Sequence, residues 1–576
     1  MNRLVLLIAC IAQTTLPMAA PGQGSLVQIH QDFSRDPGWE WKNNRIVAED
    51  PPMIKQDFGW SPTDHLGTGT GEIGGTVWLS RTPAWYALPI NRPLSFKDKF
   101  SFSCRIAFMP DGGKGAAYLG FFNHELQGWR VWNSMALRLT GGKIEGHAII
   151  GADAMTALWH AAGGSEGFIH VPTDGKPHTI RFTYDPQGTP GGFPDPRLKK
   201  YLTGKRQTVD DMLPRARQDE PNITREELYQ RLVAAHSAGL VSYLDRRGGT
   251  TSGQSGELWF YREARDRQGV MILEVDDGLP YKMFISSRSH DEPVYMDRFG
   301  VFNFQMYHNP ITFFLSGLTV NGHKVDLSKD PGWEGHGNRA QFAEQDFQRQ
   351  DYGYSESNWA GEQIGEIGGL FSNVEPVDPL TGYYADDIGK LTLDDPISFS
   401  GQVCFTADST DSGMQIGYFS AESAMARWDA HKPFRSIPDS IGVQIEGSAG
   451  SGKQFMPEIN TGKNTAATKG GISFNPTKQR HTFKFQYDPT ANNNIGRIVL
   501  TLDDNTSTLD LTAQQRAEGA RFDHFGVANL RAGGKFVVVY FDDLSYTARR
   551  SPDYRPVFHK QEVVKVPFPP DRKSVV

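Results

Sequence analysis

Short runs of alternating apolar and polar side chains recur along most of the chain. In residues 480–487 the aromatic side chains would lie on one face of an extended strand and the polar ones on the other. Residues 536–541 form a more continuous apolar run, which suits a strand covered on both faces. Gly, Pro, Asp and Asn turns separate these runs. The pattern predicts antiparallel sheets packed face to face as sandwiches.

One stretch of the first half departs from this pattern. Thr224 followed by Glu227 is the sequence signature of a helix capping box. The apolar residues that follow have helical spacing: Leu228, Leu232, Val233, Ala235 and Leu240. We therefore predict a helical insertion at about residues 187–260. Bracing of the fold is its default role, with a lid or a partner surface as alternatives.

Residues 36–75 recur as residues 330–369, at a constant offset of 294 with no insertion or deletion. Of the 40 positions, 17 are identical, and most of these are polar, Gly or aromatic. The repeat indicates a tandem duplication of one folding unit. A shared core alone would not require such identities, which favour a site or special loop built in the same way in both units. We predict unit 1 at residues 27–320, unit 2 at residues 321–547 and an extended tail at residues 548–576.

Length and composition agree with this division. A chain of 576 residues exceeds the roughly 250–300 residues at which single cores stop growing. The chain has 61 glycines and 11% aromatic residues, which favours turn-rich β structure. A net charge of −7 gives no basic surface, so nucleic acid is excluded as a partner.

The N-terminus has the pattern of a secretory signal peptide at residues 1–20. Arg3 precedes a short apolar run, and small residues follow at positions 19 and 20. No segment reaches the roughly 20 apolar residues of a membrane-spanning helix. We therefore predict export to the periplasm, cell surface or extracellular space. A lipid anchor at Cys10 stays open, while Cys104 and Cys404 are predicted to be buried free thiols.

Several motifs resemble the concanavalin A-like or laminin-G-like jelly-roll superfamily. They are the segments 176–180 and 184–185, the apolar strand that ends at residues 276–278, and the terminal strand at residues 539–544. The resemblance implies an all-β fold of two tandem jelly-roll β-sandwiches, the first with the helical insertion. The superfamily includes lectins, binding modules, glycoside hydrolases and polysaccharide lyases, so the resemblance specifies no single activity.

Glu72 and Glu366 are candidate functional residues because each lies between glycines on an apolar strand, where another backbone or a ligand can approach closely. Each could be a general acid/base, an acceptor for sugar hydroxyls or a calcium ligand. The structural alternative is a buried ion pair with Arg45 in one unit and Arg339 in the other.

Aromatic and polar residues of the repeated block are candidates for sugar binding, because aromatic faces stack on sugar rings while carboxylates accept from hydroxyls. Packing in the core is the alternative for each aromatic. The ligand-binding candidates are Trp39, Glu40, Arg45, Asp57, Trp60, Trp333, Glu334, Arg339, Asp351 and Tyr354.

Asp542 and Asp543 are the candidate ligands for a structural calcium ion, which binds six to eight oxygen atoms. The corresponding residues of unit 1 are Ser316 and Gly317, so such a site would belong to unit 2 alone. His147 beside Glu145 is a single-copy candidate for an acid/base pair, with an exposed strand histidine as the alternative.

These patterns favour an exported carbohydrate-recognising protein that binds a polysaccharide or cell-surface glycan. A glycoside hydrolase or polysaccharide lyase would use Glu72 or Glu366 for catalysis, in a groove with a second carboxylate roughly 5–10 Å away. A structural or adhesion protein of the cell envelope would bury both glutamates against Arg45 and Arg339.

Overall fold

The computed structural model describes residues 24–566, apart from residues 68, 70, 129, 145, 158–159, 163–168, 190–194, 203–206, 239–240, 246–256, 262–266, 306–308, 345–349, 373–380, 409–412, 426–435, 447–453, 464–465, 469–470, 474–477 and 531–535. The predicted signal peptide at residues 1–20, Cys10, Glu145 and the end of the tail lie outside the described residues.

The fold is built from β-strands, most of them shorter than ten residues. The strands before residue 321 are β1 (Ser25–Gln31), β2 (Glu40–Lys42), β3 (Arg45–Ala48), β4 (Met53–Lys55), β5 (Asp57–Ser61), β6 (Glu72–Trp78), β7 (Trp85–Leu94), β8 (Phe100–Phe108), β9 (Ala116–Phe122), β10 (Ser134–Ile144), β11 (His147–Met155), β12 (His160–Ala162), β13 (Ile169–Pro172), β14 (His178–Asp185), β15 (Gln207–Thr208), β16 (Val241–Asp245), β17 (Glu257–Tyr261), β18 (Arg267–Val275), β19 (Tyr281–Ser286), β20 (Met296–Asn303) and β21 (Pro310–Val320). The strands after it are β22 (His323–Lys324), β23 (Glu334–His336), β24 (Gln341–Ala343), β25 (Gln350–Ser355), β26 (Glu366–Ser372), β27 (Tyr383–Thr392), β28 (Ile397–Asp408), β29 (Gly413–Phe419), β30 (Ser440–Glu446), β31 (Gln454–Asn460), β32 (Ala466–Thr468), β33 (Ile472–Ser473), β34 (Arg480–Asp488), β35 (Arg497–Leu502), β36 (Asn505–Asp510), β37 (Arg521–Asn529), β38 (Phe536–Arg550) and β39 (Val564–Val566).

The helices are short and lie mostly in the insertion. They are α1 (Leu198–Tyr201), α2 (Val209–Asp219), α3 (Arg225–Ser237), α4 (Ser287–Asp291), α5 (Ala421–Met425), α6 (Ala491–Asn494) and α7 (Ala513–Glu518). Within the described part of the chain, none of the helices is long and apolar enough to cross a membrane.

The first sandwich consists of two sheets. Its back sheet has the order β19-β18-β14-β8-β21-β6-β5, with β22 paired to β21. Its front sheet has the order β12-β11-β10-β9-β20-β7-β23, with β13 paired to β11. Apolar side chains of both sheets form one core, which includes Ile106 and Phe182 of the back sheet and Leu119 and Phe121 of the front sheet.

The second sandwich repeats this architecture. Its back sheet has the order β36-β35-β34-β28-β38-β26-β25-β3-β39, with β1 paired to β38. Its front sheet has the order β2-β27-β37-β29-β30-β31-β32, with β33 paired to β31. The prediction of two tandem jelly-roll sandwiches is confirmed by these sheets.

Two segments of the chain cross between the sandwiches. The N-terminal strands β1, β2 and β3 pair with β38, β27 and β25 of the second sandwich. In the other direction, β22 and β23 pair with β21 and β7 of the first sandwich. The connectors meet at the crossing, where β4 and β24 pair with each other. The unit boundary at residues 320 and 321 stays a prediction, but each sandwich takes edge strands from the other half.

The insertion has a small core of its own. Residues Thr224 and Glu227 make the predicted reciprocal bonds, with distances of 2.9 and 3.1 Å. The buried residues of this core are Leu198, Tyr201, Leu202, Val209, Met212, Ala216, Ile223, Leu228, Leu232 and Ala235. The helical insertion predicted from the sequence is thus confirmed.

Cys104 and Cys404 are buried free thiols, as predicted. They lie on the equivalent strands β8 and β28 of separate sandwiches. Burial raises the pKa of each thiol to about 12, which disfavours the thiolate form at neutral pH.

The C-terminal arm, residues 551–566, follows the crossed N-terminal segment. Trp41 donates from its ring nitrogen to the Lys560 carbonyl at 2.9 Å, and the His559 amide donates to the Gly38 carbonyl at 2.8 Å. The arm then pairs with β3 in parallel through β39. It therefore fastens the crossed segment to the second sandwich.

Candidate functional site

The repeated polar residues of the two crossed segments bind the opposite half of the chain in the same way. Asn44 and Asn338 donate from their side-chain amides to the carbonyls of Tyr352 and Phe58. In parallel, Arg45 donates to the Tyr354 carbonyl at 2.7 Å, and Arg339 to the Trp60 carbonyl at 2.6 Å. The Asn-Arg pair is therefore repeated because it attaches each crossed segment to an edge strand of the sandwich that receives it.

Trp39 and Trp333 lie in the cores rather than on a surface. Trp39 is 4% exposed and packs 5.5 Å from Phe33 and 5.5 Å from Tyr384. Trp333 is 8% exposed and stacks on Tyr86 at 5.7 Å. Neighbouring rings therefore cover the aromatic faces. Both tryptophans pack in a core, which is the alternative to sugar binding.

Replacement of either tryptophan is expected to lower stability rather than ligand affinity. Trp39→Ala should cost about 3–5 kcal/mol in the second sandwich, and Trp333→Ala a similar amount in the first, because each leaves a large core cavity. Chemical denaturation at 25 °C, monitored separately for each sandwich by hydrogen exchange, would measure this. A loss of less than about 1 kcal/mol would contradict the burial of these rings.

The glutamates that follow these tryptophans bind the neighbouring sheet edge. Glu40 accepts from the Tyr383 hydroxyl at 2.6 Å and lies 3.3 Å from Nε2 of His524. Glu334 forms an ion pair with Arg298 at 3.0 Å. Both contacts join a crossed segment to the sandwich that receives it.

Glu72 and Glu366 are buried, and each accepts bonds from the loop that precedes it. Glu366 is 0% exposed and accepts from the Ser357 hydroxyl at 2.5 Å and from the amides of Trp359 and Ala360 at 3.0 and 2.7 Å. Glu72 accepts from the Thr63 hydroxyl at 2.5 Å and the His65 amide at 3.1 Å, and also contacts Nδ1 of His65. Each carboxylate therefore holds a loop in place.

The predicted partners Arg45 and Arg339 do not bond to Glu72 and Glu366. Each arginine donates to a backbone carbonyl oxygen instead.

The glycine before each glutamate has a positive φ and lies against a crossed segment. A Cβ on Gly71 would lie 1.6 Å from the Leu327 carbonyl oxygen, and one on Gly365 would lie 1.9 Å from that of Phe33. Close backbone approach thus explains the repeated Gly-Glu pair.

The remaining candidates occupy the edge strands β5 and β25. Trp60 is half-buried and donates from its ring nitrogen to the Leu327 carbonyl at 3.0 Å. Tyr354 is half-buried against the core of the second sandwich. Asp57 is exposed, and Asp351 lies 3.7 Å from Arg45. The structure does not bring these residues together in one pocket, because they are split between the two sandwiches.

Asp542 and Asp543 face different surroundings. Asp542 is 3% exposed, and burial raises its pKa to about 6, with help from the charges of Asp543 and Glu366. Asp543 accepts from the Gln402 amide at 2.6 Å. Among the described residues, no group of three His, Cys, Asp or Glu side chains is arranged to hold a metal ion.

The loop held by Glu366 presents an exposed aromatic ring. Trp359 is 40% exposed and lies 6.3 Å from Tyr540, on the outer face of the back sheet. The Lys478 ammonium lies 5.2 Å from the centre of the Trp359 ring. Arg480 donates to the Trp359 and Asn358 carbonyls at 3.0 and 2.9 Å. We call Trp359, Lys478 and Arg480 the Trp359 surface.

The first sandwich has a different side chain at this position. His65 occupies the site equivalent to Trp359 and stacks on Phe314 at 3.8 Å. It also contacts Glu72 through Nδ1, so its ring is engaged on one face and at one edge. The exposed indole therefore belongs to the second sandwich alone.

A second set of polar residues lies on the outer faces of the front sheets. A row of small residues crosses each front sheet and ends at a carboxylate. In the first sandwich the row is Ala87, Gly300, Gly120, Ala136 and Asp153. In the second it is Ala385, Gly526, Gly417, Gly442 and Glu458. Cross-strand partners share a face, so each carboxylate lies on the outer face with its row.

The carboxylate of the first row is neutralised by cations. Asp153 accepts from the Tyr118 hydroxyl at 3.0 Å and lies 3.5 Å from Arg130 and 3.7 Å from Arg138. Burial raises the pKa of Tyr118 well above its ordinary value, so this hydroxyl stays protonated and acts as a donor. The Asp153 carboxylate is therefore held by two arginines and one hydroxyl group.

The carboxylate of the second row lacks such cations. Strand register equates Tyr118 with Gln415, Arg138 with Gln444 and Asp153 with Glu458. The Ser436 hydroxyl bonds to Glu458, and Gln444 donates to Glu446 at 2.5 Å. Burial raises the pKa of Glu458 to about 7, and the charge of Glu446 adds to the shift.

Neither Tyr118 nor Glu458 stands out in the sequence as part of a polar site. Residues 116–122 are apolar on both faces, so alternation does not mark Tyr118 as part of a polar site. Alternation in residues 454–460 would place Glu458 on an outer, exposed face. Its burial depends on the segment around Ser436, which contacts it from elsewhere in the chain.

Comparison with known proteins gives likenesses of low sequence identity. Domains LG4-5 of the mouse laminin alpha1 chain align with 11% identity and a TM-score of 0.19, covering 86% of this chain and 97% of that chain. Peanut lectin aligns with 11% identity and a TM-score of 0.22, covering 34% of this chain and 90% of the lectin. An endo-1,3-beta-glucanase from Streptomyces sioyaensis aligns with 10% identity and a TM-score of 0.20, covering 37% and 81%.

No family model matches the chain, and no curated protein sequence matches it. The similar solved structures are of the kinds that the sequence resemblance names.

Proposed function

We propose that this chain is an exported carbohydrate-recognising protein that binds a polysaccharide or cell-surface glycan through the Trp359 surface. The observation that carries the proposal is an indole that is 40% exposed on a loop fixed by a fully buried carboxylate. An exposed aromatic ring normally costs free energy, and a rigid one can bury apolar C–H surface of a sugar without further ordering.

The surroundings of Trp359 supply the polar half of such a contact. The Lys478 ammonium lies over the Trp359 ring, where it can donate to hydroxyl or carboxylate oxygens of a glycan. The guanidinium of Arg480 is bonded to the loop carbonyls, so it holds the ring in position. The surface therefore combines a partly exposed aromatic ring with a hydrogen-bond donor.

The geometry does not favour the catalytic alternative for Glu72 and Glu366. The carboxylate oxygens of both residues accept bonds from their own loops, which leaves them engaged within the protein. A general acid or base must reach the proton that it transfers.

Replacement of Trp359 by Ala is expected to weaken glycan binding at least about tenfold, or about 1.4 kcal/mol. Affinity electrophoresis against neutral and acidic polysaccharides would measure this, with reducing ends and unsaturated uronate absorbance assayed in parallel. Tyr295→Ala is the matched control, because Tyr295 is 54% exposed on the first sandwich. Equal binding by all three proteins would refute the proposal, and product release would favour the enzyme alternative.

A further inference from the structure

The outer face of the second front sheet holds buried polar atoms that lack partners. Within the described part of the chain, Nε2 of Gln415 and Oε2 of Glu458 have no hydrogen-bond partner. Gln415 is 1% exposed and Glu458 is 3% exposed. Native proteins leave few such groups, since each costs about 1–3 kcal/mol when it is left unpaired.

These two side chains lie beside a strip without side-chain bulk. Gln415 is two residues before Gly417 on β29, and Gly417 pairs with Gly442, which pairs with Glu458. On the far side, Gly417 pairs with Gly526. An amide donor and a carboxyl group therefore border the same glycine strip.

The segment at Ser436 and Ile437 closes one side of this strip. The Ile437 amide donates to Oε1 of Gln415 at 3.3 Å, and Asn460 donates to the Ser436 carbonyl at 3.3 Å. These bonds fix the Gln415 side chain so that Nε2, rather than Oε1, is its free end. The orientation of the unpaired donor is thus set by the fold.

The architecture shared by the two sandwiches does not require this arrangement. At the equivalent positions, the first sandwich satisfies Asp153 with Tyr118 and two arginines. At the equivalent positions the second sandwich has the amides Gln415 and Gln444 beside the carboxyl group of Glu458, which the Ser436 hydroxyl bonds.

We propose that Gln415 and Glu458 form a binding site for a small neutral polyhydroxylated ligand, such as a single sugar unit or a polyol, on the glycine strip of the second front sheet. One ligand hydroxyl would accept from Nε2 of Gln415, and another would donate to Oε2 of Glu458. This site is separate from the Trp359 surface, and it does not depend on the function proposed above.

The chemistry of the surroundings selects this class of ligand. The acidic groups Glu458 and Glu446 disfavour an anion, and the described residues form no cluster suited to a metal ion. An apolar ligand would leave both polar atoms unpaired.

Isothermal titration calorimetry on the full chain, with a panel of neutral monosaccharides, disaccharides and cyclic polyols, tests the proposal. Calorimetry is chosen because polyols at high concentration raise thermal midpoints without specific binding. We expect saturable binding by at least one compound, weakened at least tenfold by Glu458→Gln and by Gln415→Met. Both changes preserve side-chain volume, and circular dichroism verifies that each variant is folded.

A control variant separates this site from other causes of binding. Gln402→Met alters a half-buried amide on the back sheet, away from the glycine strip, so it should leave the affinity unchanged. Absence of saturable binding across the panel would overturn the proposal and indicate that water fills the site. Binding that survives both site variants would overturn it as well.

Discussion

Removal of residues 1–48 is expected to unfold the second sandwich while the first sandwich stays folded. The deletion takes away all of β1, β2 and β3, and with them seven residue pairs between β1 and β38. It also removes the fully buried Phe33 and the nearly buried Trp39 from the core. Loss of one such ring costs about 3–5 kcal/mol, and whole domains are stable by only about 5–15 kcal/mol.

Hydrogen exchange followed by mass spectrometry would measure this effect for each sandwich separately. We expect loss of protection in β27–β31 and β34–β38, with protection retained in β8–β11 and β14. A chain that starts at residue 24 is the control, because it keeps every described contact of the crossed segment. A peptide of residues 24–48 added in trans should restore protection, and full protection without it would contradict the prediction.

The crossing of the segments could not be deduced from the repeat that revealed the duplication. The repeat makes the two segments chemically similar, with Asn44 and Asn338 bonding equivalent carbonyls in the two sandwiches. Either segment therefore carries the side chains needed by either sandwich. The connectors distinguish crossed from uncrossed segments. Their strands β4 and β24 pair with each other where the two segments of the chain cross. Similarity thus indicated the duplication but not that each segment attaches to the other sandwich.

Strand alternation was sufficient for the fold class because it depends on local patterns. The helical insertion was equally predictable, since its capping box lies within four residues of sequence. Glu72 and Glu366 were harder to interpret, because their neighbouring glycines suit either a ligand or another backbone. The structure shows a backbone there, from residues far away in sequence.

The Trp359 surface illustrates the same limit. The sequence shows His65 in one copy and Trp359 in the other, but exposure depends on how the loop is held. Three bonds to Glu366 fix that loop, and contacts with Arg480 from β34 complete it. Trp359 was not among the residues predicted to bind a ligand, because its exposure depends on these tertiary contacts.

Replacement of Glu366 by Ala is expected to destabilise the second sandwich by about 3–5 kcal/mol. The change leaves the buried amides of Trp359 and Ala360 and the Ser357 hydroxyl without their acceptor. Each unpaired buried donor costs about 1–3 kcal/mol, which is partly relieved when the loop moves outward to water. Urea unfolding at 25 °C would measure the loss.

The same variant should lose glycan binding even though Glu366 does not touch the surface. Release of the loop lets the Trp359 ring sample many orientations. The free energy of ordering the ring must then be spent on binding, which lowers the affinity. We expect at least about a tenfold loss of affinity in affinity electrophoresis, measured at temperatures where the variant is folded. Mutation of Lys478 should act differently, because it removes a donor while the ring stays fixed.

Glu72→Ala is the matched control, since Glu72 holds the equivalent loop of the first sandwich through Thr63 and His65. It should destabilise the first sandwich by a similar amount and leave glycan affinity unchanged. If the two variants weaken binding equally, general destabilisation rather than the orientation of Trp359 would explain the loss. If only Glu366→Ala weakens binding, a buried glutamate holds the equivalent loop in both sandwiches, but the loop contributes to glycan binding in the second sandwich alone.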